Sequence, residues 1–193
     1  MTDVDLDAVA VPLDWRELFG RDAPTDVEIG SGKGRFLLAL AASRPERNLL
    51  AVERAGAYHK MCCERAAKHG LGNIRLLRTT AEDLLFRLLR PSSVDTLFVL
   101  FPDPWPKKRH HKRRLITLDS VAAMAGALRP GGRLLVKTDH AGYAAVIGEA
   151  LAGERALRAI DAAPAFAELP VSGFEHKYLD QGRDIFAFAC ERV

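Results

Sequence analysis

The sequence predicts an α/β protein: a Rossmann-like, doubly wound, mostly parallel sheet with helices on both faces. Three observations carry that expectation. Short apolar runs alternate with amphipathic segments from residue 26 onward, the pattern of right-handed strand–helix–strand crossovers. The first run ends in the glycine cluster Gly30-Ser31-Gly32-Lys33-Gly34, where such folds let a ligand approach backbone N–H groups. Val94 to Phe101 is a nearly continuous apolar run, as a strand buried on both faces requires.

The elements follow in order. Trp15 to Phe19 reads as a small packing helix within a short leader, residues 1–25. Asp26 to Ile29 is the first strand, and Arg35 to Ala42 is apolar at helical spacing. Leu49 to Glu53 is a second strand. A helix over Tyr58 to His69 stops at Gly70, a residue suited to a left-handed C-terminal cap. Asn73 to Leu77 is a third strand, and Ala81 to Leu89 a helix. After the strand at Val94 comes a proline-rich basic loop, then a helix near Leu115–Leu128. Arg129-Pro130-Gly131-Gly132 reads as a turn before a strand over Arg133 to Thr138. Tyr143 to Leu151 is helical, and Asp184 to Cys190 is a last strand.

Composition narrows the class. The chain has 193 residues, 48% hydrophobic and 27% charged, ordinary for a globular protein and unlike collagen, coiled coil or a disordered chain. One domain over 1–193 is expected. No apolar run approaches the ~20 residues that span a bilayer. The acidic start, Met1 to Asp5, is not a secretory signal, so a cytoplasmic protein is expected. Cys62, Cys63 and Cys190 form no disulfide framework and no zinc spacing; they read as reduced, buried thiols, with no metal site. The net charge is only +3. Six cations, however, crowd into Lys107, Lys108, Arg109, Lys112, Arg113 and Arg114. The rest of the chain is net acidic, which points to one anionic partner docking at one place.

Two loops carry chemistry. In the first, Gly30 and Gly32 allow a tight turn under a ligand, and Glu53 ends the second strand where an acid can accept both hydroxyls of a ribose. That much suits a nicotinamide or an S-adenosylmethionine cofactor alike. Glu28, two residues before Gly30, would repel a pyrophosphate and favour a ligand with a cationic sulfonium and ammonium end. The second loop is Phe101-Pro102-Asp103-Pro104-Trp105-Pro106 followed by the basic run 107–114. Its prolines stiffen the backbone around Asp103. Trp105 offers a face for a base, and the cations beyond it offer contacts to phosphates.

Glu28 to Gly34, Glu53 and the Phe101–Arg114 loop together closely resemble the tRNA (guanine-N7-)-methyltransferase family. The likeness runs from about residue 13 to the end. The resemblance implies a class I methyltransferase fold of seven strands, the last antiparallel, using S-adenosylmethionine as cofactor. It implies methyl transfer to N7 of guanine 46 in the tRNA variable loop. Carried over by matching motif, Glu28, Gly30, Gly32, Glu53, Thr80 and Asp103 would bind the cofactor, with Asp103 also catalytic. Lys107, Asp139, Ser172, Gly173, Phe174 and Glu175 would bind substrate, with tRNA held through loop 107–114. Two positions depart from the pattern. Thr80 stands where the family has an acid, with Glu82 close by. Ser172-Gly173 replaces Thr-Lys.

Guanine N7 carries a lone pair and no proton, so attack on a methyl sulfonium needs no general base. It needs the reactants held in line in a negative field. Asp103, with Asp139 and Glu175, can accept from the N1–H and exocyclic amine of guanine, a donor pair adenine lacks. His110 and His111 read as supplementary phosphate or surface groups. His59, His69, His140 and His176 read as surface or satisfied core residues. Other readings are an exocyclic-amine methyltransferase on another nucleic acid, a non-catalytic RNA-binding subunit, and an NAD-dependent reductase. The first would carry a second proline after Asp103-Pro104; the last is disfavoured by Glu28 and the glycine spacing.

Overall fold

The computed structural model describes residues 2–193. Its eight strands form one sheet. In chain order they are β1 (Asp3–Val4), β2 (Thr25–Ile29), β3 (Asn48–Val52), β4 (Ile74–Leu77), β5 (Val94–Leu100), β6 (Leu128–Thr138), β7 (Leu157–Ile160) and β8 (Phe186–Arg192). The spatial order is β1-β4-β3-β2-β5-β6-β8-β7. Pairing is parallel from β1 to β6, and β8 runs antiparallel to both β6 and β7. The doubly wound sheet with an antiparallel last strand is as expected. The expected strand count of seven becomes eight, because Asp3 and Val4 of the leader add a short strand beside β4. Leu157–Ile160, which has no apolar alternation to announce it, pairs with β8.

Alternation along the central strands divides the apolar side chains between two layers. Leu49 and Ala51 of β3, with Phe98 and Leu100 of β5, pack under α2 (Arg35–Ser43) and α3 (Gly56–Lys68). Leu50, Val52, Leu97 and Val99 face the other way. There they meet α1 (Trp15–Phe19), the π-turn Leu84–Leu88 that continues α4 (Ala81–Asp83), α5 (Leu118–Ala127) and α6 (Ala141–Ala152). Two short helices, α7 (Ala162–Phe166) and α8 (Gly173–Asp180), complete the chain. The turn expected at 129–132 appears as a bulge inside β6. Leu128 pairs with Val94 and Arg133 with Thr96, and the residues between are looped out, with Gly131 at φ +74°.

Strand order reverses between β3-β2 and β2-β5, so the crevice beyond their carboxyl ends is the natural ligand site. Both chemistry-bearing loops open there. Among the described residues, no helix is long and apolar enough to cross a membrane.

Candidate active site

The floor of the crevice is the loop after β2. Gly30 (φ +83°) and Gly32 (φ +53°) turn the chain, and the Gly30 and Ser31 amides donate to Val52 O at 2.8 and 3.2 Å. Gly34 (φ +76°) caps the start of α2; a Cβ there would collide with Cys62 Sγ on α3. Glu53 ties the two strand ends together. Its Oε2 accepts from Gly32 N at 2.8 Å and its Oε1 from Ala55 N at 2.7 Å. From α3, Arg65 Nη1 donates to Lys33 O at 2.9 Å. The loop is thereby rigid before any ligand arrives.

Glu28 lies at the end of β2, 5% exposed, and its Oε2 has no hydrogen-bond partner. Ser31 Oγ nearby is buried and unpartnered too. Burial, with the Glu53 charge second, pushes the Glu28 carboxyl up to about 8. An orphaned buried acid costs stability unless something compensates it. A cationic ligand end does so. Cys62 beside it is an inert thiol, raised to about 12 mainly by burial and then by Glu28.

The loop after β5 forms the facing wall. Phe101 (φ +56°) and Trp105 (φ +43°) hold left-handed backbone that side chains seldom adopt, strain of the kind found at functional sites. Asp103 between them is exposed and makes no hydrogen bond or ion pair among the described residues. Lys108–Arg113 is a 3₁₀ turn that starts at Lys107. The six cations of this loop are not equivalent. Lys107, Lys108, Arg109, Lys112 and Arg113 are exposed, with the Arg113 guanidinium 5.0 Å from the Trp105 ring centre. Arg114 turns inward instead: Nε donates to Pro104 O at 2.9 Å, and the guanidinium lies 4.9 Å from the Tyr143 ring. Tyr143 is fully buried, and its hydroxyl accepts from Ile116 N at 3.0 Å. Arg114 and Tyr143 anchor the loop that Asp103 rides on.

The third wall comes from the C-terminal region. Ser172 is a helix cap: buried, its Oγ accepts from Glu175 N at 3.1 Å. Phe174 is 47% exposed and stacks on Tyr178 at 6.1 Å; both rings lean on Phe101. Glu175 is ion-paired with Lys137 on β6. Asp139, just after β6, receives Arg183 Nη1 at 2.7 Å. The sequence gives no hint of either pairing, because each joins β6 to residues some forty positions on.

A cavity of about 690 Å³ joins these walls, within the range of small-molecule sites. Gly30, Gly32, Glu53, Thr80, Asp103 and Phe174 line it. Glu28 is buried and is not part of the lining. Lys107, Asp139, Ser172, Gly173 and Glu175 lie outside its lining. Thr80 caps α4, accepting from Asp83 N at 3.1 Å, and Glu82 lines the same cavity. Tyr58 and Arg54, to which the sequence assigns no role, lie on the rim. A smaller cavity of about 340 Å³ at α1 and the N-terminal strand shares no residue with this one.

Among the described residues, one group of three metal-ligand side chains comes together, Asp3, His59 and Cys63. His59 Nε2 is 3.2 Å from Asp3 Oδ1. Cys63 Sγ is 3.9 Å from both ring nitrogens alike, so the thiol does not single out one nitrogen's lone pair. The arrangement reads as a polar contact between Asp3 and His59 that docks β1 onto α3. Cys63 is half-buried rather than buried as expected.

The family model described as putative methyltransferase matches residues 22–188. A tRNA (guanine-N(7)-)-methyltransferase of Mycobacterium avium is 42% identical over 189 residues, 95% of this chain and 72% of that protein. Its namesake in Nitrosomonas eutropha is 40% identical over 176 residues, 90% of this chain and 79% of that one. The crystal structure of the 16S rRNA methyltransferase KamB superposes with a TM-score of 0.63 at 21% identity, covering 93% and 92% of the two chains. TrmN from Thermus thermophilus gives 0.62 at 20% identity, over 92% of this chain and 47% of that one. These structures share the fold.

Proposed function

The chain belongs to the tRNA (guanine-N(7)-)-methyltransferase family, and we propose on that premise that it transfers a methyl group from S-adenosylmethionine to N7 of a guanine in tRNA, the base at position 46 of the variable loop. One observation supports this above the others. The glycine turn and the free carboxylate of Asp103 meet at a single cavity, with the unpartnered Glu28 one residue before that turn's strand ends and the exposed cations Lys112 and Arg113 on the cavity's outer wall.

The residues present fit the cofactor. Glu53 and the Thr80–Glu82 turn would hold its adenosine, the side-chain-free turn at Gly30 and Gly32 would let it lie close to the backbone, and Glu28 would meet its cationic end. When bound it supplies an electrophilic methyl on a sulfonium. The rest of the work falls to this chain. Of the three acids assigned to guanine, Asp139 is held by Arg183 and Glu175 by Lys137. Asp103 alone is unengaged, so it is the acceptor for the N1–H and exocyclic amine, and it sets the base in plane. As positive charge passes to the purine, Asp103 stabilises it at short range, an effect worth more at a walled site than in water. Phe101 and Phe174 supply apolar walls that limit water around the reacting atoms. Lys107 to Arg113 hold the phosphate backbone, so that binding energy remote from the reaction fixes its geometry. A tRNA substrate fits the cytoplasmic location expected from the sequence.

Incubation with methyl-labelled S-adenosylmethionine and unmodified tRNA, followed by nucleoside analysis, tests this reading. 7-Methylguanosine is the expected product. A methyl on an exocyclic amine, or none, defeats it.

A further inference from the structure

The basic loop occupies only one side of the crevice. Lys33 follows β2, Arg54 follows β3 and Arg78 follows β4. These strands are hydrogen-bonded neighbours in one parallel set, so the three cations sit in a row along the same carboxyl edge of the sheet. Adjacent strands are about 4.8 Å apart, which makes the row roughly 10 Å long. All three are exposed, and among the described residues none makes a side-chain hydrogen bond or an ion pair. The carboxylate nearest in sequence, Glu53, is taken up by the Gly32 and Ala55 amides. Glu82 is the exposed acid on this rim.

Nothing in the fold accounts for these cations. The Arg78 guanidinium packs against the first residue of α3, where a Cβ on Gly56 would lie 3.0 Å from it. A positive charge beside a helix N-terminus costs stability rather than adding it, and α3 has no acid in its first turn to offset it. An exposed ring completes the rim: Tyr58, 42% exposed, with Lys33 Nζ 5.9 Å from its centre. The cavity is therefore flanked twice by an aromatic ring with a cation over it. Trp105 with Arg113 is on the β5 side and Tyr58 with Lys33 on the β3 side.

We propose that Lys33, Arg54 and Arg78, with Tyr58, form a second contact for the sugar–phosphate backbone of the substrate RNA, across the crevice from loop 107–114. The proposal rests on the tRNA-methylating reading and deepens it. RNA gripped on both rims brings the target base over the cavity between them. One strip alone would leave the strand free to pivot about it. Unpaired cations beside an exposed ring are what an unstacked single strand needs.

The test is the double variant Lys33→Ala/Arg78→Ala, with Lys107→Ala as the reference on the other rim. Affinity for unmodified tRNA is measured from 50 to 300 mM salt, and affinity for S-adenosylmethionine by calorimetry. Each lost phosphate contact makes the plot of log affinity against log salt shallower by about 0.7–0.9. The double variant is thus expected to lose about 1.5 of slope and to weaken tRNA binding at least tenfold at low salt, with cofactor affinity and melting temperature kept. Unchanged tRNA affinity and slope, while Lys107→Ala weakens binding, overturns the second contact and spares the functional reading. Loss of cofactor affinity in the double variant also overturns it, because the rim then serves the cofactor. Wild-type protein that fails to bind tRNA removes both.

Discussion

The two halves of the crevice are built on opposite terms. On the β2–β3 side the backbone does the holding: Gly30, Ser31, Gly32 and Ala55 amides are all committed, and the buried acid Glu28 is left without a partner. On the β5 side the side chains stand in solvent, held only by strained backbone at Phe101 and Trp105 and by the inward-facing Arg114. The first half suits a small ligand of fixed shape, whose site is pre-organised at a cost in folding energy. The second suits a large polyanion, for which exposed charges matter more than fit.

The largest effect is expected where the halves meet. Asp103→Ala removes the one carboxylate of the three assigned to guanine that no cation of the protein holds. It is expected to lower methyl transfer by about 10²–10³-fold, the usual loss for one electrostatic contact to a developing charge. Asp103 makes no contact that the fold depends on, so the melting temperature stays. Near-normal turnover of the folded variant would show that the two halves meet around some other group.

Gly34→Ala strikes the rigid half through backbone strain and packing together. It combines a left-handed φ with a collision against Cys62. A cost of about 2–4 kcal/mol is expected from strain plus overpacking. Chemical denaturation reads it directly. The same change at Gly30, where the space is open, carries only the backbone part, so equal losses at both positions would contradict the packing account.

Glu28→Gln sharpens the contrast through pH. In the folded protein Glu28 titrates near 8, against an ordinary 4.5. The folded state therefore binds the extra proton between those values, and stability falls as pH rises from about 4.5 to 8. Glutamine flattens that slope and makes the ligand-free protein more stable at pH 8. A cationic ligand end reverses the balance: binding at pH 7 is expected to release about one proton, read by calorimetry in buffers of different ionisation enthalpy. The variant releases none and binds the cofactor about 10–100-fold more weakly, as loss of a hydrogen bond to a charged group implies. A proton count of zero in the wild type would place the ligand's cation elsewhere.

The rigid half was largely legible in the sequence. Glycine at 30, 32 and 34, with acids at 28 and 53, is local information, and local steric demands decide it. The mainly parallel, doubly wound sheet followed from the alternation of strands and helices. What could not be read were partnerships between distant residues. Ser172, expected to touch substrate, also caps α8; the chain gives no sign of which hydroxyl is engaged by its own backbone. Lys137 with Glu175, and Arg183 with Asp139, depend on β6 and its end meeting α8 and the turn after it, which no spacing encodes. The strand Asp3–Val4 is too short for a period, and its place comes from pairing with β4 and from His59.

The smallest effect separates two cations seven positions apart. Lys107 is exposed and unpartnered, whereas Arg114 is bonded to Pro104 and lies over Tyr143. Lys107→Ala is expected to weaken tRNA binding severalfold and to flatten its salt dependence by about one unit of slope, with no change in stability. Arg114→Ala is expected to cost about 1–2 kcal/mol of stability, the sum of a hydrogen bond and a cation–π contact. Its salt slope should stay near that of the wild type, because the guanidinium it removes does not face the RNA. If both variants flatten the slope equally, the inward turn of Arg114 is not kept in the complex, and the loop regroups around its ligand.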